Sequence, residues 1–121
     1  HVGVKARFES ATMIIGRIRN ASAGTQSVLT GDLNVKEDTE AYKKLAAADS
    51  GLKDARYTSV NGHFGGASTF NAFKEMQPGN KIDYIFVTPG IRVFEHGVLA
   101  DNWDGLWASD HLPVLAEVEL R

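Results

Sequence analysis

A mixed α/β fold, with helices layered on a sheet, is predicted by three observations. A helical apolar stripe opens the chain, a short apolar strand follows it, and the run Ile82 to Val87 is apolar on both of its faces. With 121 residues, of which 43% are apolar, the sequence holds one domain at most and enough Val, Ile, Leu and Phe to bury a core.

The first helix rests on Val4, Phe8, Ala11, Ile15 and Ile18, whose spacings of four, three, four and three residues draw one stripe along a period of 3.6. Gly16 weakens it by about 1 kcal/mol relative to alanine, and the stretch Asn20 to Gly24 ends it. Ser27 to Thr30 reads as a short strand running into Gly31-Asp32. A second helix is expected over Thr39 to Ala48, capped by Asp38 or Thr39, with Tyr42 and Leu45 inward and Gly51 as its stop. The glycine-rich segment Arg56 to Asn80 is expected to be a long ordered loop, a kind that usually serves function. Ile82 to Val87 is the next strand. The turn Thr88-Pro89-Gly90 suits type II geometry and predicts a hairpin with a partner strand from Ile91 to about Glu95. The last strand puts Val114, Ala116, Val118 and Leu120 on one face and Glu117 and Glu119 on the other. Two helices cover one sheet face only, so the two-sided strand Ile82 to Val87 calls for a partner sheet that this reading does not supply.

Composition excludes several classes. The formal net charge is -2, from 13 basic and 15 acidic residues, so no overall field attracts nucleic acid or an anionic membrane; a nucleic-acid substrate is possible but not favoured. Without cysteine there is neither a disulfide framework nor a thiolate zinc site. No apolar run approaches the roughly 18 residues of a membrane span. The start, His1-Val2-Gly3-Val4-Lys5, lacks the features of a signal peptide and lacks an initiator methionine. A processed protein or a piece of a longer one is expected, soluble, and secreted or periplasmic if a signal peptide lies upstream.

Three strings carry chemistry: Gly31-Asp32-Leu33-Asn34, Ile82-Asp83-Tyr84 and Ser109-Asp110-His111. Asp83 shares a strand face with Ile85 and Val87, where an unpaired carboxylate is costly. It is either a solvated acid at an edge or the acceptor that fixes the tautomer of an imidazole, for which His111 is the natural partner. Asp32 and Asn34 lie on one side of an extended strand end and can hold a water, a phosphate oxygen or a metal-bound water; alternatively they form an Asx turn with their own backbone. His63 and His96 show no ligand-like spacing and are expected at the surface. Trp103 and Trp107 form either an aromatic wall of a substrate pocket or a lid on the core. A Ser-His-Asp hydrolase lacks its Gly-x-Ser-x-Gly elbow, and no Walker or Rossmann glycine pattern is present.

Together and in this order, Val28 to Asn34, Lys81 to Val87 and Ser109 to Val114 resemble motifs from the second half of the endonuclease/exonuclease/phosphatase superfamily, the DNase I-like phosphoesterases. Ser68-Thr69-Phe70-Asn71-Ala72-Phe73 is similar to that group as well. The resemblance implies a four-layer α/β/β/α sandwich, of which residues 1–121 supply roughly the C-terminal half of a single domain. It implies a metal-dependent phosphodiesterase or phosphatase acting on a phosphoester through an activated water. Asp32 and Asn34 would handle the water and the scissile phosphate, Asp83 would steady His111 on the phosphate, and Asp110 would lie at the metal. Asn71 and Trp107 are the expected substrate contacts. Hard oxygen ligands without cysteine favour Mg²⁺ or Mn²⁺. A metal-binding Glu and an Asn belong to the family's first half, and a further catalytic His is expected before residue 1, so His1 carries no catalytic role. The partner implied is a missing N-terminal half or a second copy of the chain. The competing expectation is a catalytically incomplete structural fragment; a further one is a DNA or RNA nuclease.

Overall fold

The computed structural model describes residues 2–21, 24–76 and 78–120; the expectation for His1 lies outside them. The elements run α1 (Val2–Asn20), β1 (Val28–Asp32), α2 (Glu40–Ala46), β2 (Lys53–Asp54), α3 (Ala55–Thr58), β3 (His63–Phe64), β4 (Asp83–Val87), β5 (Arg92–Val98) and β6 (Val114–Glu119). Strands β1, β4 and β2 form one sheet in that order and β3, β5 and β6 a second. In the first, β4 is central and antiparallel to both neighbours. In the second, β3 runs parallel to β5 and β6 antiparallel to it.

The two-sided strand finds a cover on each face. Tyr84 and Phe86 of β4 pack with Ala11 and Ile15 of α1 and with Ala41, Tyr42 and Leu45 of α2. On its other face Val87 and Ile85 meet Val93, Ala116 and Val118 of the second sheet, with Ala55 and Ile91 beside them. The layers are therefore helices, sheet and sheet, and the partner sheet that sequence reading found missing is built from the chain's own later strands. That corrects the expected hairpin: β4 and β5 belong to different sheets. The turn does close, with Ile91 N donating to Thr88 O at 3.0 Å, but Gly90 does not take the left-handed φ of a type II turn. It is tied instead to the entry of β1, through Thr88 N to Ser27 O at 3.0 Å and Gln26 Nε2 to Gly90 O at 2.9 Å. Burying Val87, Ile91 and Val93 in one cluster requires the chain to cross between layers rather than fold back.

α1 starts and stops where its stripe does, but only Ala11 and Ile15 of that stripe are fully buried; Val4 and Phe8 stay exposed. α2 is capped by Thr39, whose side chain accepts from Tyr42 N, and ends at Ala46, short of Gly51. The expected loop from Arg56 contains most of α3 and all of β3, elements of four and two residues that no periodicity reveals. In β6 the alternation holds from Val114 to Glu119, with Val114, Ala116 and Val118 half-buried and Leu115, Glu117 and Glu119 exposed, but Leu120, expected on the inner face, lies past the strand and is exposed. No helix among the described residues is long and apolar enough to cross a membrane.

Candidate active site

The site forms where β1 ends and β4 begins. Antiparallel register sets Asp32 directly opposite Asp83, so two carboxylates occupy one side of the sheet's end, a like-charge pair that destabilises unless a cation or imidazolium joins it. His111 supplies the ring. Its Nδ1 lies 2.9 Å from Asp83 Oδ2, and its Nε2 faces Asp32 Oδ2 at 4.0 Å. The hydrogen bond that Asp83 accepts from His111 raises the pKa of His111 above the ordinary imidazole value; slight desolvation opposes this, and the charges of Asp83, Asp32 and Asp110 reinforce it. Asp83 is therefore the partly buried, paired carboxylate rather than the solvated one.

Asp32 and Asn34 form the Asx turn, and their side chains are hydrogen-bonded to each other as well. Asn34 N donates to Asp32 Oδ1 at 2.8 Å, an Asx turn, while Asn34 Nδ2 donates to Asp32 Oδ2 at 3.1 Å. The turn is what aims the two side chains together. It needs Asn34 at φ 51°, a left-handed conformation that asparagine tolerates better than most residues.

Segment Ser68 to Phe73 frames the dyad. Thr69 is fully buried, and its Oγ1 accepts from Ile82 N at 3.0 Å and Asp83 N at 3.1 Å, while its carbonyl accepts Leu112 N at 2.7 Å. One residue thus fixes the backbone beside Asp83 and beside His111. Phe70 bridges to His111 in the backbone and sets its ring 5.0 Å from the imidazole. Asn71 is buried; its Nδ2 donates to Ser109 O at 3.1 Å, its Oδ1 accepts Phe73 N at 2.7 Å, and its backbone N donates to Asp110 O at 2.8 Å. Its amide holds the loop that presents Asp110 and His111. Trp107 is half-buried, anchored by Nε1 to Lys74 O at 3.0 Å, and lines a cavity of about 260 Å³ together with His111. Trp103 is 67% exposed, so it is no lid on the core.

The ligand atoms of Asp32, Asp83 and His111 lie within 4.8 Å of one another; Asp110 stands outside that group. Their fit to a divalent cation follows from what each atom already does. His111 Nδ1 and Asp83 Oδ2 engage each other, which leaves His111 Nε2 and the spare lone pairs of Asp32. A hard cation that keeps most of its waters needs only one or two carboxylates, so the donors suit Mg²⁺ or Mn²⁺ held mainly through Asp32.

Two clusters escaped sequence reading. Lys81 is buried between Glu37 Oε1 at 2.7 Å and Asp54 Oδ2 at 3.0 Å, over the Tyr84 ring at 4.4 Å. Tyr42 donates to Asp54 Oδ2 at 3.0 Å and Tyr57 to Glu37 Oε2 at 2.8 Å. Burial pushes Glu37 up, but the bonds from Lys81 and Tyr57 outweigh it and hold the carboxyl below its usual value; burial and then Glu37 push Tyr57 up to about 12. The cluster ties the loop after Asn34 to the start of β4, and the only signal for it was a lysine directly before an apolar run. The second cluster corrects the surface assignment of two histidines. His96 is fully buried and His63 partly so, with their Nδ1 atoms 2.8 Å apart. His63 Nε2 lies 3.0 Å from Gly66 O and must carry its proton there. His63 Nδ1 is then an acceptor for His96 Nδ1–H, which leaves His96 Nε2 bare, buried and without a partner. Burial, followed by the neighbouring His63, pushes His96 down to about 4.

Comparison with known proteins accords with this geometry. The profile of the Endonuclease/Exonuclease/phosphatase family matches residues 13–111. Among solved structures, an endonuclease/exonuclease/phosphatase from Bacteroides vulgatus is similar at 35% identity and a TM-score of 0.86, over 98% of this chain and 45% of that one. A mannosyl-6-phosphatase from Bacteroides thetaiotaomicron is 29% identical with a TM-score of 0.89, over 99% of this chain and 48% of that one. The human Nocturnin catalytic domain, with bound sulfate, shares the fold at 20% identity and a TM-score of 0.72, over 98% of this chain and 42% of that one. No curated protein matches. The chain spans about half the length of the solved structures it resembles. On the strength of the matched profile and of two sheets packed as in these relatives, the chain belongs to the endonuclease/exonuclease/phosphatase family.

Proposed function

We propose that this chain carries one wall of a divalent-metal-dependent phosphoesterase site and is the C-terminal half of a single domain that a first half completes. The observation that carries the reading is the Asp83–His111 pair at 2.9 Å, with His111 Nε2 4.0 Å from Asp32 Oδ2. Its length relative to the solved relatives supports the half-domain part.

His111 Nε2, kept protonated by Asp83 behind it, donates to a phosphoryl oxygen and stabilises the charge that grows there. Asp32, held in place by both nitrogens of Asn34, orients a water and takes its proton as the water oxygen bonds to phosphorus and the ester P–O bond breaks, the leaving oxygen taking a proton from solvent to depart as the alcohol. Asp110, presented from a loop that Asn71 holds, would be a further metal ligand. A divalent ion bound here would neutralise phosphoryl charge and ease deprotonation of the water. Asn71, being buried, serves substrate binding through that loop, and Trp107 serves it directly.

Hydrolysis of a phosphomonoester in ¹⁸O-water with Mg²⁺ tests the reading. One ¹⁸O in the released phosphate, with turnover abolished by EDTA, is the expected outcome. Label in the alcohol, or turnover indifferent to chelation, would overturn it. Intact mass and activity of the 121-residue chain test the half-domain part: full Mg²⁺-dependent turnover by this chain alone contradicts it.

A further inference from the structure

The geometry points to a binding pocket for a single polyhydroxylated ring, a hexose unit carrying the phosphate, next to His111. The inference rests on the phosphoesterase reading for the placement of that phosphate. A cavity of about 260 Å³ is walled by Trp103, Trp107, Leu99 and Pro113, has Asp101 among its lining residues, and reaches His111. That lies just below the roughly 300–1,000 Å³ of sites for drug-sized ligands and suits one ring rather than a polymer.

Its walls are set before any ligand arrives. Trp103 N donates to Leu106 O at 3.0 Å and Leu106 N to Trp103 O at 2.8 Å, closing a two-residue turn on Asp104 at φ 51° and Gly105 at φ 81°. Two positive φ values make this a type I′ hairpin, the tight form that Asp-Gly favours, and Asn102 Oδ1 braces it by accepting from Gly105 N at 3.0 Å. Trp107 is fixed from the other side by Lys74 O. Trp103, exposed on a fixed backbone, and Trp107, half-buried and held through its Nε1, thus bring two indoles to one cavity.

The chemistry of the lining selects the ligand. An indole face is electronegative and accepts the weakly positive C–H face of a pyranose. Asp101 offers acceptors only, which matches adjacent hydroxyl donors. Among the described residues no lysine or arginine lines the cavity to meet the further phosphates of a polynucleotide, and the chain's net charge of -2 adds no attraction for one. His111 at the edge puts a phosphate on that ring within reach of the proposed catalytic groups.

Both tryptophans of this chain lie at the cavity, so its intrinsic fluorescence reports on it directly, while in the longer protein we propose, calorimetry reads the binding. The protein is titrated, with Mg²⁺ present, with mannose 6-phosphate, glucose 6-phosphate, glycerol 3-phosphate and a nucleoside monophosphate, and affinities are checked by calorimetry. A hexose 6-phosphate is expected to saturate the signal and to bind at least tenfold tighter than glycerol 3-phosphate. That preference falls toward one in Asp101→Asn and in Trp103→Ala, both at exposed positions where folding is not at stake. Equal binding of hexose and glycerol phosphates, preference for the nucleoside monophosphate, or a hexose preference that survives both substitutions overturns the pocket. The two readings fail separately: Mg²⁺-dependent hydrolysis by the longer protein without hexose preference sinks the pocket alone, and hexose binding by the longer protein without any hydrolysis sinks the phosphoesterase alone.

Discussion

Asp83 and His111 were legible because each stands against an apolar run, where a charged or polar group needs a reason to be. What the strings could not show is the role of Thr69, a small neutral residue whose hydroxyl joins the amides at Asp83 while its carbonyl holds Leu112. Asp83→Asn keeps the shape of the pair but offers His111 either an acceptor or a donor, so the ring's tautomer is no longer fixed. Turnover in the complete domain is expected to fall by about 100- to 10,000-fold, mostly in kcat, with a smaller change in KM. His96 gives a second outcome at single residues. Its folded pKa of about 4 lies below the ordinary 6.5, so it folds neutral. The charged neighbours that bear on it are His63, Asp54, Lys81 and Arg56, and of these only Asp54 favours its protonation. Between those two pH values the unfolded chain binds the extra proton, so stability present above 6.5 is lost as pH falls toward 4. The loss is about 1.4 kcal/mol per pH unit at full slope. Urea unfolding from pH 7 to 4.5 should show that slope flattened in His96→Gln relative to the parent; identical slopes would contradict it.

Strand β5 shows why periodicity reached some elements and not others. A simple alternation puts His96 on the face opposite Val93, toward solvent, as sequence reading had it. The bulge between Val93 and Glu95 inserts one residue, so Val93 pairs with Val118 and His96 with Ala116, both on the inner face. A one-residue irregularity therefore buried a histidine. The crossing between β4 and β5 failed for a related reason: a Pro-Gly turn marks a change of direction but not which layer receives the next strand. β1, α2 and β6 were readable because each is long enough for its own pattern. Lys81 connects elements in a way no single one reveals, joining the start of β4 to Glu37 beyond β1 and Asp54 of β2. Lys81→Ala leaves the Asp54 carboxylate buried without its cation and is expected to cost about 3–5 kcal/mol in urea unfolding. Lys81→Met combined with Asp54→Asn should recover part of that, because no buried charge is left unpaired. A loss below about 1 kcal/mol in the single variant would mean that the cluster is no better than a surface pair.

Across the whole molecule, a helical layer and two sheets place the two acids, the amide and the imidazole at one end of the stacked strands. The family resemblance foresaw four layers, and three are present in the described residues. The second sheet is the chain's own, so the first half we propose would serve the rest of the site rather than cover β4. The most direct test is Mg²⁺-dependent phosphoester hydrolysis by the longer protein we propose this chain belongs to, compared with its Asp32→Ala and His111→Ala variants. Loss of at least about 100-fold in each, with the fold intact, is the outcome expected of an oriented water and a phosphate-binding imidazole. Metal-dependent turnover that survives both substitutions contradicts the account.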